Sequence, residues 1–124
     1  MSMFTLFIKD SFSAAHRLEE YQGKCETLHG HNFMVEVSVA GETLNTTGML
    51  IDFTILKEHL REVLKTLDHS YINEIPFFRE RAASSEYIAM YIFQLLRTRI
   101  NERSVILQEV KVWESESACA SYHE

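Results

Sequence analysis

His29-Gly30-His31-Asn32-Phe33-Met34-Val35-Glu36-Val37-Ser38-Val39-Ala40 decides how this chain folds. From Phe33 onward, apolar residues fall on every second position: Phe33, Val35, Val37 and Val39 share one parity, while Met34, Glu36 and Ser38 take the other. Side chains of a strand alternate between faces, so the segment reads as a strand with one face in a core. His29 and His31 carry the parity of the valines. If the strand extends back to them, both imidazoles project from one side at the mouth of the core face. Gly30 between them leaves room for a ligand or another backbone to approach.

The rest of the chain sorts around this strand. Phe4 to Ala15 reads as a long first strand that delivers His16 at its end. Gly41 to Gly48 is rich in turn formers and reads as a loop. Met49 to Phe53 leads into a helix whose apolar stripe is Ile55, Leu56, Leu60, Val63, Leu64 and Leu67, with Leu67-Asp68-His69 closing it. A second helix follows Ser84 as N-cap, has Glu86 in its first turn, and carries the stripe Ile88, Tyr91, Ile92, Leu95, Leu96 and Ile100. Val105 to Trp113 returns to strand character with Ile106, Val110 and Val112 on one face, and a short strand runs from Ser117 to Tyr122. The order strand, strand, helix, helix, strand, strand predicts an α+β fold. Its four-stranded antiparallel sheet carries two helices on one face, leaving the other face and the edges to be covered by oligomerisation.

Composition narrows the functional classes. The 124 residues are 46% hydrophobic, enough for one core, so residues 1–124 read as a single domain. Twelve basic against eighteen acidic residues give a formal charge of −6, which speaks against a broad nucleic-acid surface. No apolar run approaches the roughly 20 residues of a membrane span, and the N-terminus lacks the pattern of a signal peptide. Two cysteines, Cys25 and Cys119, are too few for a disulfide scaffold. A cytoplasmic setting is expected.

Chemistry concentrates near the start of the chain, in His16 and in Cys25-x-x-x-His29-Gly30-His31. Three neutral imidazoles meeting at one point bind zinc and leave a fourth coordination position open, the layout of a catalytic zinc. Lone strand histidines are usually just hydrogen-bonded, but His-x-His beside a cysteine and after a strand-end histidine outweighs that reading. A closed structural zinc with Cys25 as fourth ligand is the alternative, although such sites favour several thiolates. Asp68 beside His69 forms a proton-transfer couple if the carboxylate orients the imidazole. Glu114, ending an apolar strand, is placed to accept two N–H bonds from an aminopyrimidinone ring. His59 reads as a packed helix residue, Cys119 as a small buried side chain, and Trp113 as core.

Together these residues resemble the 6-pyruvoyltetrahydropterin synthase family, and within it the 6-carboxytetrahydropterin synthases of the queuosine pathway. The matching blocks are Phe12 to His16, Cys25 to Phe33, Gly48 to Phe53, Leu67 to Asn73, and Glu114-Ser115 with Ala120-Ser121-Tyr122. Three residues between Cys25 and His29 match the queuosine-pathway enzymes, whereas the biopterin-pathway enzymes have a longer interval. Two departures stand out: Ala83-Ser84-Ser85-Glu86-Tyr87 replaces the usual Pro-Thr-x-Glu-Asn, and Glu114-Ser115 replaces Glu-Thr.

The resemblance implies a tunnelling fold whose sheets join into an oligomeric barrel, a hexamer of two trimers with active sites between subunits. It implies Zn2+ on His16, His29 and His31, and 7,8-dihydroneopterin triphosphate as substrate. Cys25 would act as base, Asp68 and His69 as proton relay, and Glu114 as pterin anchor. The products would be 6-carboxytetrahydropterin, acetaldehyde and triphosphate. Arg17 and Lys24 are candidates for holding the phosphates. Triphosphate elimination with the side chain retained is the nearest rival, and a non-catalytic zinc- or pterin-binding protein is the rival of another class.

Overall fold

The computed structural model describes residues 2–18 and 28–124. Its elements run β1 (Phe4–His16), β2 (His29–Gly41), α1 (Phe53–Leu64), α2 (Ser85–Arg99), β3 (Ile106–Ser115) and β4 (Ala118–Tyr122), with single 3₁₀ turns at Ile72–Glu74 and Pro76–Phe78. The four strands form one sheet in the order β1-β2-β3-β4, every pair antiparallel. The ββααββ reading therefore holds. No helix among the described residues is long and apolar enough to cross a membrane.

The core follows the strand parity. Phe33, Val35, Val37 and Val39 of β2 are fully buried, flanked by Ile8, Phe12 and Ala14 of β1 and by Val110 and Val112 of β3. Leu56, Leu60, Val63 and Leu64 of α1 and Ile88, Ile92 and Leu96 of α2 close over that face. Asp52 caps α1 by accepting from the Thr54 N–H at 2.8 Å, and Ser84 caps α2 by accepting from the Tyr87 N–H at 3.2 Å.

Several details depart from the sequence reading. Helix α1 ends at Leu64 rather than at His69, and Leu67 reaches the core from the turn that follows. The reason is tertiary: residues 69–71 lie along the free edge of β1. The His69 N–H donates to the Ser13 carbonyl at 2.6 Å and the Ala15 N–H donates to the Ser70 carbonyl at 2.9 Å, with a parallel bridge between Ala15 and Tyr71. Ile55 is 43% exposed because it lies on the flank of α1 with His59, off the buried stripe.

Ile106 is 63% exposed, not on the core face with Val110 and Val112. Ser38 pairs with Glu109 but Val39 pairs with Leu107, so a bulge inserts one residue and inverts the parity. Leu107 consequently packs against the core in place of Ile106. Cys119 is exposed and Trp113 is only half-buried. The two face each other across β3 and β4 on the side of the sheet that the helices leave open.

Candidate metal centre

The sheet register assembles three imidazoles. In the β1–β2 ladder His16 stands directly opposite His29, and Ala14 opposite His31. His16 therefore has His29 across the strand and His31 on the diagonal, both on its own face. Ring centroids lie 4.7 Å apart for His16 and His29, 5.0 Å for His16 and His31, and 4.5 Å for His29 and His31.

A fourth group comes from β3. Glu114 Oε1 lies 3.3 Å from Nε2 of His16 and 3.3 Å from Nε2 of His31. Glu114 shares the parity of Val110 and Val112, and it sits where the β3–β4 pairing breaks between Trp113 and Ser115. Such an irregularity re-aims a side chain at the end of a pairing. Sequence reasoning placed Glu114 on the substrate; the structure brings it into the histidine cluster. The signal was present in the parity of β3, which sets Glu114 next in line after the buried valines.

One donor atom from each of His16, His29, His31 and Glu114 lies within 4.8 Å of every other. Tetrahedral zinc with bonds of about 2.0–2.1 Å separates its donor atoms by about 3.3 Å, the spacing seen from Glu114 to two of the imidazoles. The His16 ring is oriented by a neighbour: its Nδ1 donates to the Ala83 carbonyl at 2.7 Å. That bond leaves the lone pair on Nε2, the arrangement found in metal-binding histidines. His16 is 1% exposed, and its Nε2 has no hydrogen-bond partner among the described residues. A cation between that lone pair and the Glu114 oxygen, 3.3 Å away, would be held by both. The residues present thus fit a divalent ion.

The Ala83 carbonyl also accounts for one departure from the family pattern. It is the backbone of residue 83, not its side chain, that fixes His16, so alanine there leaves the bond intact. Ser84 retains the helix cap.

Asp68 and His69 lie at the edge of the same strand pair. His69 Nδ1 is 2.9 Å from Asp68 Oδ2, and Asp68 Oδ1 accepts from the Ser13 N–H at 2.9 Å. The Ser13 bond is the main reason the Asp68 carboxyl is held below its ordinary value of 3.8, with the His69 contact adding to it. His69 adopts a left-handed backbone, φ 57°, unusual for a residue with a side chain. Its imidazole is 83% exposed. A shallow cleft runs from His69 and Ser70 past Ala15 and Gly30 to His31, so the couple and the histidine cluster border one open space.

Gly30 lines that cleft, but no other backbone crowds it: a Cβ there would come no closer than 3.9 Å to the Ala14 oxygen. Cys25 and Lys24, read as catalytic thiol and phosphate contact, lie outside the described residues. His59 is packed as expected, with Nε2 3.7 Å from Glu102 Oε1.

Comparison with known proteins agrees with this geometry. A family model described as 6-pyruvoyl tetrahydropterin synthase matches residues 5–124. A 6-carboxy-5,6,7,8-tetrahydropterin synthase from Synechocystis is 39% identical, the match spanning 97% of this chain and 93% of that one. The human 6-pyruvoyl tetrahydrobiopterin synthase is 34% identical over 90% of this chain and 86% of its own. Among solved structures, the Caenorhabditis elegans 6-pyruvoyl tetrahydropterin synthase superposes with a TM-score of 0.88 at 33% identity, covering 100% of this chain and 97% of that one.

Proposed function

Because this chain belongs to the 6-pyruvoyl tetrahydropterin synthase family, we propose that it is a zinc-dependent lyase converting 7,8-dihydroneopterin triphosphate and one water to 6-carboxy-5,6,7,8-tetrahydropterin, acetaldehyde and triphosphate. The observation that carries the reading is the convergence of His16, His29 and His31 on one point, with Glu114 beside them. The choice of product is supported by the 39% identical cyanobacterial relative and by the three-residue interval between Cys25 and His29.

A divalent ion at the cluster supplies Lewis acidity toward the hydroxyls of the pterin side chain and positive charge beside a developing carbanion. The protein residues do the rest. His16, held by Ala83, His29 and His31 fix where the side-chain hydroxyls sit. Cys25, as thiolate, takes the carbon-bound proton, and His69 returns or relays a proton while triphosphate departs. Asp68 keeps the His69 ring turned and its Nδ1 bonded, leaving Nε2 for exchange. Glu114 accepts from the N–H groups of the pterin ring when the substrate hydroxyls occupy the centre, fixing the reacting carbon nearby.

The high exposure of His69 fits a site completed by a second subunit. The open sheet face with Phe7, Met34 and Trp113 is the surface on which copies would associate into the barrel. In this reading the protein is a cytoplasmic homohexamer.

Incubating the zinc-loaded protein with dihydroneopterin triphosphate and identifying the products tests the proposal. It predicts 6-carboxytetrahydropterin and acetaldehyde in equal amounts. A 6-pyruvoyl product without acetaldehyde would assign the other activity, which the 34% identity to the human synthase favours. No conversion at full metal content would leave a binding protein.

A further inference from the structure

Ser13 and Asn32 stand opposite each other in the β1–β2 register. The Ser13 N–H and carbonyl both turn to the free edge of β1, to Asp68 and to His69. Ser13 and Asn32 are therefore a pair without ladder hydrogen bonds, the kind in which facing side chains stand closest. The Ser13 hydroxyl donates to Asn32 Oδ1 at 2.5 Å. We propose that Asn32 is a substrate-orienting residue, donating through Nδ2 to an oxygen of the substrate's polyol side chain, with Ser13 as the residue that positions its amide. The inference rests on the pterin reading for the identity of the substrate and adds to it a contact outside the histidine cluster.

The state of the amide is the first reason. A carboxamide has one accepting end and one donating end. Ser13 occupies the Asn32 oxygen, and among the described residues nothing accepts from Nδ2. Asn32 is exposed, so it presents two N–H donors whose direction the Ser13 bond sets.

Position is the second. Asn32 borders the cleft that also takes in His31 and His69. That cleft encloses about 460 Å³, within the roughly 300–1,000 Å³ typical of small-ligand sites. Asn32 follows His31 in sequence, with Cα atoms about 3.8 Å apart. Ser13 in turn holds both members of the proton couple, its N–H on Asp68 and its carbonyl on the His69 N–H. The amide, the couple and the histidine cluster are thus all built on one strand pair, and a molecule reaching from His31 to His69 passes Asn32.

The third reason is the chemistry of the lining. Apart from His31 and His69, the cleft is bordered by Ser, Asn, Ala and Gly, and among the described residues by no Asp, Glu, Lys or Arg. An uncharged wall with a directed donor suits a neutral, hydroxylated group, and it offers an anion no counter-charge. The floor beside Asn32 is low as well. Ala15 pairs with Gly30, and a Cβ on Gly30 would meet nothing nearer than the Ala14 oxygen at 3.9 Å. A methyl there would stand in the cleft instead of against protein.

The test titrates zinc-loaded protein with neopterin, which carries the polyol side chain without phosphate, and with pterin, which lacks the side chain. Asn32→Ala is expected to weaken neopterin about fivefold, the loss of one hydrogen bond, and to leave pterin unchanged. Ser13→Ala should weaken neopterin similarly, and Ser13→Thr, which keeps the hydroxyl, should restore it. Combining Ser13→Ala with Asn32→Ala should cost no more than Asn32→Ala alone, because Ser13 acts through the amide. Gly30→Ala should bind neopterin about tenfold more weakly, while its unfolding temperature does not fall. A merely structural glycine would not move binding and stability in opposite directions. Neopterin affinity untouched by Asn32→Ala, or pterin affinity that falls equally, overturns the proposal, as does wild-type protein that binds neopterin no better than pterin. Additive losses in the double variant, or Ser13→Thr as weak as Ser13→Ala, remove Ser13 from it.

Kinetics separate this from the parent reading. Turnover of dihydroneopterin triphosphate with an unaltered KM in Asn32→Ala removes the contact and keeps the lyase. Neopterin binding that depends on Asn32, in a protein that leaves the triphosphate unprocessed, keeps the contact and removes the lyase.

Discussion

At the scale of single residues, the convergence of three histidines was legible in the sequence because two simple facts fix it: strand parity, and a histidine at the end of the preceding strand. His16, His29 and His31 converge as the spacing predicted. The parity of β3 sets Glu114 in line after Val110 and Val112, and the break in the β3–β4 pairing brings its carboxylate against His16 and His31. Asp68 gives a prediction about pH. Its carboxyl is held below 3.8 in the folded protein, chiefly by the Ser13 N–H, so the unfolded chain takes up the proton first as pH falls. The stabilisation is full above the unfolded value and disappears as pH drops through the folded one. Asp68→Asn should therefore flatten the acid side of the thermal stability profile below about pH 4, measured by unfolding temperature across pH. The same substitution should lower turnover by about 10²–10⁴-fold while metal content is unchanged, if His69 needs its partner to move a proton. Equal turnover in Asp68→Asn would remove the couple from the chemistry. Gly30 and Gly41 make a contrasting pair. A Cβ at Gly41 would stand 2.2 Å from the Ser104 oxygen and 2.5 Å from Leu50 Cδ1, so Gly41→Ala should cost about 1–3 kcal/mol. At Gly30 there is space, and Gly30→Ala should gain up to about 0.5–1 kcal/mol. Denaturant unfolding of the two variants distinguishes them.

At the scale of elements, all four strands and both helices were visible in the sequence, and Ser84 caps α2 as read. The errors fall where tertiary pairing overrides a local pattern. The apolar stripe of α1 continues to Leu67, yet the helix stops at Leu64 so that residues 69–71 can lie along the edge of β1. That early stop is what carries Asp68 and His69 to the histidine strands. Parity through Ile106 failed for a related reason: one inserted residue in β3 has no signature in a single sequence. The N-terminus of α2 has a double role, since Ser84 caps the helix and the preceding carbonyl holds His16. Ser84→Ala should lower global stability by about 1 kcal/mol. It should also weaken metal retention, because a frayed first turn moves the Ala83 carbonyl. Denaturant melts of the zinc-loaded variant and its zinc affinity, measured side by side, check both.

At the scale of the whole molecule, the chain builds a sheet whose one face is buried under the helices, while Phe7, Met34 and Cys119 are exposed on the other. The candidate metal centre sits at one end of the sheet, where three strands contribute a donor and Ala83, just before α2, supplies the supporting carbonyl. A bound ion should tie β1, β2 and β3 together, so a chelator should lower the unfolding temperature of the zinc-loaded protein, and added zinc should restore it in proportion to concentration. The most direct measurement is X-ray absorption at the zinc edge of the loaded protein. The account predicts three imidazole nitrogens among a shell of nitrogen and oxygen donors at about 2.0–2.1 Å, with that histidine signature lost in His16→Ala. A sulfur neighbour at about 2.3 Å, marking Cys25 as a permanent ligand, would contradict it.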